Sequence, residues 1–319
     1  MDFQKTREEI FRFRDQFRDV YQSQFEGYTR DNERLFGEEL NHIKNRLVQE
    51  SALYPMLGPV AEHLYEYLWS KRWIGWGAIE FGPPLGLKPT REFPIAMLVY
   101  LTPRLMDDAL DGHIENKLGD LTLYGGLTEK LNERTAASTC MLIASWLLTA
   151  CLERLERLEF DETSTMLRRL FRSIVPGAVA ELLCPAPLTQ PVYDSIIQRK
   201  SVGYDMILWR SFLSRVEPML RHNILKISGE LSIMAQWIND CQDVEDDRKR
   251  GQPNILLIPE VSLDQICSRI QSTLTRLWVE ARTLPNGVKR AFASRTANYI
   301  EQFLDCIQKE PCQENLGEV

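Results

Sequence analysis

Residues 231–254 read LSIMAQWINDCQDVEDDRKRGQPN. The stretch opens as an apolar run, LSIMAQWI. Asn239, Asp240, Asp243, Glu245, Asp246 and Asp247 then fall within nine positions, and Arg248, Lys249 and Arg250 follow at once. Gly251 and Pro253 end the pattern, so a helix that stops near 250 is expected. On that helix Asn239, Asp243 and Asp247 are four apart and share one face. Like charges at this spacing destabilise a bare helix. Burying part of that charge without a counter-ion costs far more. Divalent cations resolve the conflict, and oxygen ligands of this hardness suit Mg²⁺.

The same design occurs upstream. Residues 105–112 read LMDDALDG, closing the apolar run FPIAMLVYLTPRLM. Asp107 and Asp111 are again four apart and share a face. Either cluster alone is an ordinary solvated helix end. Two of them, each terminating an apolar helix, point to a metal site, with Asp107, Asp108, Asp111, Asn239, Asp243 and Asp247 as candidate ligands. Asp108 and Asp240 point away from the shared faces, which suits them to accept hydrogen bonds behind the metal ligands.

The chain has 319 residues, 44% hydrophobic and 26% charged, as in a soluble globular protein. A net charge of −7 argues against nucleic acid as partner. The N-terminal MDFQKTREEIFRFRDQFRD is charged throughout, so no signal peptide is expected. The apolar run MLIASWLLTAC (141–151) is too short to span a bilayer. Seven scattered cysteines without a CxxC pair read as reduced thiols in a cytoplasmic protein.

Periodic apolar stretches lie near 5–22, 39–69, 93–110, 128–158, 163–182, 191–216, 219–247, 262–283 and 287–309. Gly and Pro clusters punctuate them, and alternating β-branched runs are nearly absent. The fold class expected is all-α: one domain over 1–319, with a helical segment over 1–40 and a polar tail over 310–319.

With these residues in hand, the chain resembles the trans-prenyl diphosphate synthases and the class I terpene synthases that share their fold, over roughly residues 65–260. Asp107, Asp108 and Asp111 match the DDxxD motif. Gln236, Asn239, Asp240 and Asp243 match Q-x-x-D-D-x-x-D, with Asn in place of the first Asp. Lys200-Ser201 with Gly203 stands where those families carry Lys-Thr before a Gly. The resemblance implies a helical bundle with a central active-site cavity. Two acidic ridges would face each other across its mouth, and three Mg²⁺ ions would bridge them to the diphosphate of an allylic prenyl substrate. It also implies a homodimer. Cationic side chains would steady the diphosphate; Lys200, Arg199, Arg248, Lys249 and Arg250 are candidates.

A chain-elongating synthase must also bind isopentenyl diphosphate. Its pocket in that family begins with G-G-K-R-x-R, and the corresponding stretch here is WSKRWIG (69–75). Lys71 and Arg72 remain, but Ile74 replaces the last arginine. Tyr100 stands seven residues before DDxxD, where the family has histidine. Lys117-Leu118-Gly119 replaces Arg-Arg-Gly. Loss of these fixed charges favours an enzyme that ionises one farnesyl or geranylgeranyl diphosphate and releases a terpene. Terpene synthases often carry N-D-x-x-(S/T)-x-x-x-E, and Asn239, Asp243 and Asp247 occupy its metal-binding positions. Tyr100, Trp73, Trp76, Tyr204, Trp209 and Trp237, beside Gln236, are candidates to line the cavity, the aromatic ones cradling a carbocation through their ring faces. The alternatives are a prenyl diphosphate synthase with an altered second site, a prenyltransferase to a non-phosphorylated acceptor, and a non-catalytic subunit.

Overall fold

The computed structural model describes residues 2–50, 57–115, 119–184 and 188–308, with the backbone alone at 17–22, 76 and 308. Every regular element among these residues is helical, and the sole β-type pairing is an isolated bridge between Glu115 and Leu121. In chain order the helices are α1 (Phe3–Glu50), α2 (Leu57–Ser70), α3 (Trp76–Ile79), α4 (Glu92–Leu110), α5 (Leu123–Thr128) and α6 (Glu133–Arg157). They continue with α7 (Asp161–Leu183), α8 (Gln190–Arg199), α9 (Ser201–Phe212), α10 (Pro218–Arg250), α11 (Leu263–Ala281) and α12 (Asn286–Gln308). Single 3₁₀ turns occupy Pro83–Leu85 and Ile255–Leu257. The fold class is therefore the expected one. The stretch read as one helix over 191–216 is two, with Lys200 between them.

The chain divides into two compact units. The first comprises Ser23–Arg169 and Ile207–Arg215. Its centre is α4, buried along almost its whole length from Phe93 to Leu105 and again at Ala109. α4 packs along α6, whose Ala136, Cys140, Ala144, Leu147 and Cys151 are fully covered. By length and composition α6 could cross a membrane. These buried small residues make it instead the core helix of this unit, since small side chains let two helices approach closely. Pro103 lies inside α4 and lacks an N–H for the Val99 carbonyl. The Thr102 hydroxyl donates to that carbonyl instead, at 2.8 Å, which keeps the helix intact up to the aspartates. Glu39 of α1 is fully buried between Arg91 and Arg154. Burial pushes its pKa up, but the bonds from Arg154 and Arg91 outweigh that and hold it below the usual carboxylate range.

The second unit comprises Met1–Gln22, Leu170–Met206 and Val216–Val319. Here the long helix α10 packs on α11, α12, α8 and the 3₁₀ turn. Its start is fixed by Pro218 in the first turn and by the Glu217 carboxylate, which accepts from the N–H groups of Met219 and Leu220. Its end is fixed by Gly251, whose φ of 68° suits glycine. Ser262 and Gln265 form a capping box at the start of α11. The first turns of α1 lie against this unit: Phe13 meets Trp278 edge-on at 5.5 Å, and Arg14 bonds Glu301 at 2.6 Å.

The loop after the first aspartates is held by Thr122. Its hydroxyl donates to the His113 carbonyl and accepts from the N–H of Gly125. A Cβ on Gly125 would stand 2.1 Å from the carbonyl oxygen of Ile114, so the backbone there admits only glycine. Gly125→Ala is expected to destabilise the protein by about 1–3 kcal/mol, the range for overpacking. Urea denaturation monitored by circular dichroism measures it, and an unchanged midpoint would show that the loop yields freely.

Candidate active site

The first acidic motif closes α4. Asp107 and Asp108 lie in its last turn, and Asp111 is its C-cap, with its N–H bonded to the Asp107 carbonyl at 2.9 Å. Asp107 is half-buried and Asp111 exposed. Asp108 is turned towards protein: its carboxylate accepts from the buried Tyr67 hydroxyl at 2.8 Å, and His113 Nδ1 lies 3.9 Å away. Burial pushes the pKa of Asp108 up, opposed by Tyr67 and by the charges of Arg104, His113 and Lys71. The Tyr67 phenol is itself held above its ordinary range, first by burial and then by Asp108.

Arg104 is the residue the sequence reading missed here. Its guanidinium is hydrogen-bonded to the Tyr100 phenol. That contact first, and then the charges of Asp107 and Asp108, favour its charged form, although the side chain itself is exposed at the surface of α4. Tyr100, expected to face a cavity, is buried and engaged with this cation. Lys71 pairs with Asp120 at 3.6 Å and lies 5.5 Å above the Tyr67 ring. Arg72 is directed elsewhere: it pairs with Glu33 at 3.3 Å and stacks on Trp69 and Trp73 at 4.9 and 4.5 Å. Trp73 is an exposed surface residue, and Trp209 is fully buried with its ring edge-on to Phe81 at 5.0 Å, a core position. Lys117 and the side chain of Trp76 lie outside the described residues.

The second motif lies on α10. Asn239, Asp243 and Asp247 follow one helical face, each half-buried. Asp240 is the buried member, 1% exposed. Its carboxyl accepts from the Tyr193 hydroxyl at 2.7 Å, the Gln236 amide at 2.7 Å and the N–H of Ile255 at 2.8 Å. Burial pushes its pKa up to about 7 despite these donors. Gln236 also accepts from Ser201 at 3.0 Å, so it belongs to a hydrogen-bonded chain rather than standing alone. Asn254, also missed in the sequence, is fully buried. Its amide donates to the Asp240 carbonyl and to the Asp247 carboxylate, both at 2.8 Å, while its own oxygen caps the turn at Leu256.

Two of the three cations that follow the second motif meet carboxylates. Arg248 bonds Glu245, and Lys249 lies 3.6 Å from Asp246, both one helical turn back. The acidic run thus separates into Asn239, Asp243 and Asp247 on one face and two residues that pair with the following cations. Arg250 and Arg199 are exposed. Lys200 is paired with Glu181. Tyr204 and Trp237 are half-buried, and the Trp237 indole N–H has no acceptor among the described residues.

Among the described residues no three His, Cys, Asp or Glu side chains cluster tightly enough to hold a metal ion by themselves. Each face nevertheless presents an oxygen-only donor set, one of two aspartates and one of an asparagine with two aspartates. This fits Mg²⁺, which is bound through one or two carboxylates and completes its shell with water and phosphate oxygens.

The overall fold is that of the class I isoprenoid synthases. The chain is similar to a decaprenyl diphosphate synthase from Rhodobacter capsulatus, with a TM-score of 0.62 and 13% identity over 90% of this chain and 98% of that one. It is similar to a polyprenyl synthase from Caulobacter crescentus CB15 complexed with calcium and isoprenyl diphosphate, at 0.56 and 16% over 92% and 95%. It is also similar to a geranylgeranyl pyrophosphate synthetase from the archaeon Geoglobus acetivorans, at 0.56 and 13% over 85% and 98%. No family model matches the sequence, and no curated protein aligns with it.

Asn254→Ala is expected to cost about 1–3 kcal/mol, because it leaves a buried carbonyl and a carboxylate oxygen without their donor. Asn254→Asp is expected to cost more, since it sets a carboxylate against Asp247. Guanidinium denaturation of the two variants checks the order, and an alanine variant as stable as the parent would remove Asn254 from the support of α10.

Proposed function

We propose that this chain is a divalent-metal-dependent enzyme of prenyl diphosphates that elongates an allylic chain with isopentenyl diphosphate. What carries the reading is the likeness of nine tenths of the chain to a decaprenyl diphosphate synthase, in a protein whose acidic clusters end two long helices. The sequence alone favoured a terpene synthase. The solved structures it is similar to are described as synthases of longer prenyl diphosphates, and they favour elongation. Asp107 and Asp111 on one helix, and Asn239, Asp243 and Asp247 on another, would hold Mg²⁺, three ions in all. Bound Mg²⁺ supplies Lewis acidity that stabilises the negative charge growing on the diphosphate as its C–O bond breaks. Asp108 and Asp240 orient the two faces through their tyrosine partners. Lys71 offers a cation to a second diphosphate, since its pairing with Asp120 is long and part-exposed, hence weak.

A second reading, a terpene synthase or a prenyltransferase to an uncharged acceptor, has one observation in its favour. Arg72, a cation expected at the second diphosphate, is committed to Glu33 and two indoles. The two are separated by incubating the protein and Mg²⁺ with geranyl, farnesyl and geranylgeranyl diphosphates, with and without isopentenyl diphosphate. Mass spectrometry of the diphosphate and volatile fractions is expected to show a longer prenyl diphosphate formed only when isopentenyl diphosphate is present. A hydrocarbon or alcohol made without it would establish the second reading. Asp107→Ala and Asn239→Ala are each expected to lower turnover by at least about 10²-fold with the fold intact. Full activity in both would exclude metal at these faces.

A further inference from the structure

The helical stretch over 191–216 is broken at Lys200. Lys200 is the C-cap of α8, with its N–H bonded to the Ile196 carbonyl at 2.8 Å, and its own carbonyl accepts from the Tyr204 N–H in the first turn of α9. α7 packs on this break through two glycines. A Cβ on Gly177 would stand 2.8 Å from Arg199 Cβ, and one on Gly203 2.7 Å from Ile174 Cγ1. This close approach brings Glu181, one turn beyond Gly177, to Lys200, whose ammonium donates to the Glu181 carboxylate. The residue after Lys200 is tied to α10. The Ser201 hydroxyl donates to Gln236 at 3.0 Å, and the Gln236 amide donates to Asp240 at 2.7 Å. Gln236, Asn239 and Asp243 are spaced by three and four and share a face, so Ser201 meets α10 one turn before the second acidic face.

We propose that Glu181 competes with the diphosphate for Lys200 and thereby sets the affinity of this cation for its anion. The inference rests on the reading of Lys200 as a cation of the diphosphate site. In the empty protein the ammonium is neutralised by a carboxylate carried on α7, so an arriving anion meets an ion pair and not a bare cation. An ammonium has three donors, so a carboxylate and a phosphate oxygen can share it. Two anions on opposite sides of one ammonium sit about 6 Å apart at ordinary N–H···O distances. A carboxylate at that distance from a dianion costs the dianion roughly tenfold in affinity even in a water-like dielectric. Glu181 is therefore an affinity-determining residue that touches the diphosphate only through Lys200.

The test is isothermal titration of the full chain with inorganic diphosphate in the presence of Mg²⁺. Glu181→Gln, which removes the charge and keeps the length, is expected to bind diphosphate up to about tenfold more tightly than the parent. Glu181→Asp, which keeps the charge, is expected to stay near the parent. Lys200→Met is expected to bind more weakly. If circular dichroism shows Glu181→Gln unfolded, Glu181→Met takes its place. Equal or weaker binding by the neutral variant overturns the competition, and so does tighter binding by Glu181→Asp to the same degree; in both cases a weakened Lys200→Met leaves the role of Lys200 standing. Parent-like binding by Lys200→Met removes Lys200 from the diphosphate site and overturns the reading and the inference together.

Discussion

A carboxyl group buried at position 240 is the constraint on which the second unit is arranged. An acid removed from water must find donors on nearly all its lone pairs or stay protonated. Asp240 finds a tyrosine hydroxyl from α8, an amide from its own helix and a backbone N–H from the turn after α10. Three separate segments therefore meet at one side chain. Because it can be satisfied only there, the rotation of α10 about its axis is set. Asn239, Asp243 and Asp247 follow on the neighbouring face as a consequence. Asn254 adds a further tie by joining the Asp240 backbone to the Asp247 side chain.

The first unit uses the same device. Asp108, the second acid of its motif, accepts from a buried tyrosine hydroxyl at 2.8 Å, as Asp240 does at 2.7 Å. In both motifs the second residue anchors the helix and its neighbours are left more accessible. The division of labour is one of burial: one acid per helix is taken out of water and held by donors, and the others stay closer to solvent. The difference lies in the counter-charges. The first ridge has a guanidinium within its own helix, whereas the cations after the second ridge pair with Glu245 and Asp246.

The helices and the acidic faces were legible because both follow from local rules. Gly and Pro mark the breaks, and spacings of four place Asp107 with Asp111 and Asn239 with Asp243 and Asp247. The anchors were not legible. Tyr67 is 41 positions from Asp108 and Tyr193 is 47 from Asp240, and no local pattern pairs them. Asn254 looked like part of a loop because its role depends on the chain folding back onto α10. Arg104 could have been found from its i+3 and i+4 spacing to the aspartates. Trp209 illustrates the opposite error of scope: an aromatic on a promising segment is a core residue until a cavity is shown beside it.

The remaining question of one diphosphate or two turns on how firmly Lys71 and Arg72 are held. A lysine 3.6 Å from a half-exposed aspartate gains at most about 1 kcal/mol from that pairing, so a multiply charged anion takes it readily. Arg72 is different. It combines a carboxylate partner with two indole faces, and each cation–π contact at a partly exposed site adds roughly 0.5–1 kcal/mol. Extracting it from that setting would consume much of what a phosphate fork returns. On the proposed elongation reading, Lys71 and not Arg72 is therefore the residue of this pair that a second diphosphate would recruit.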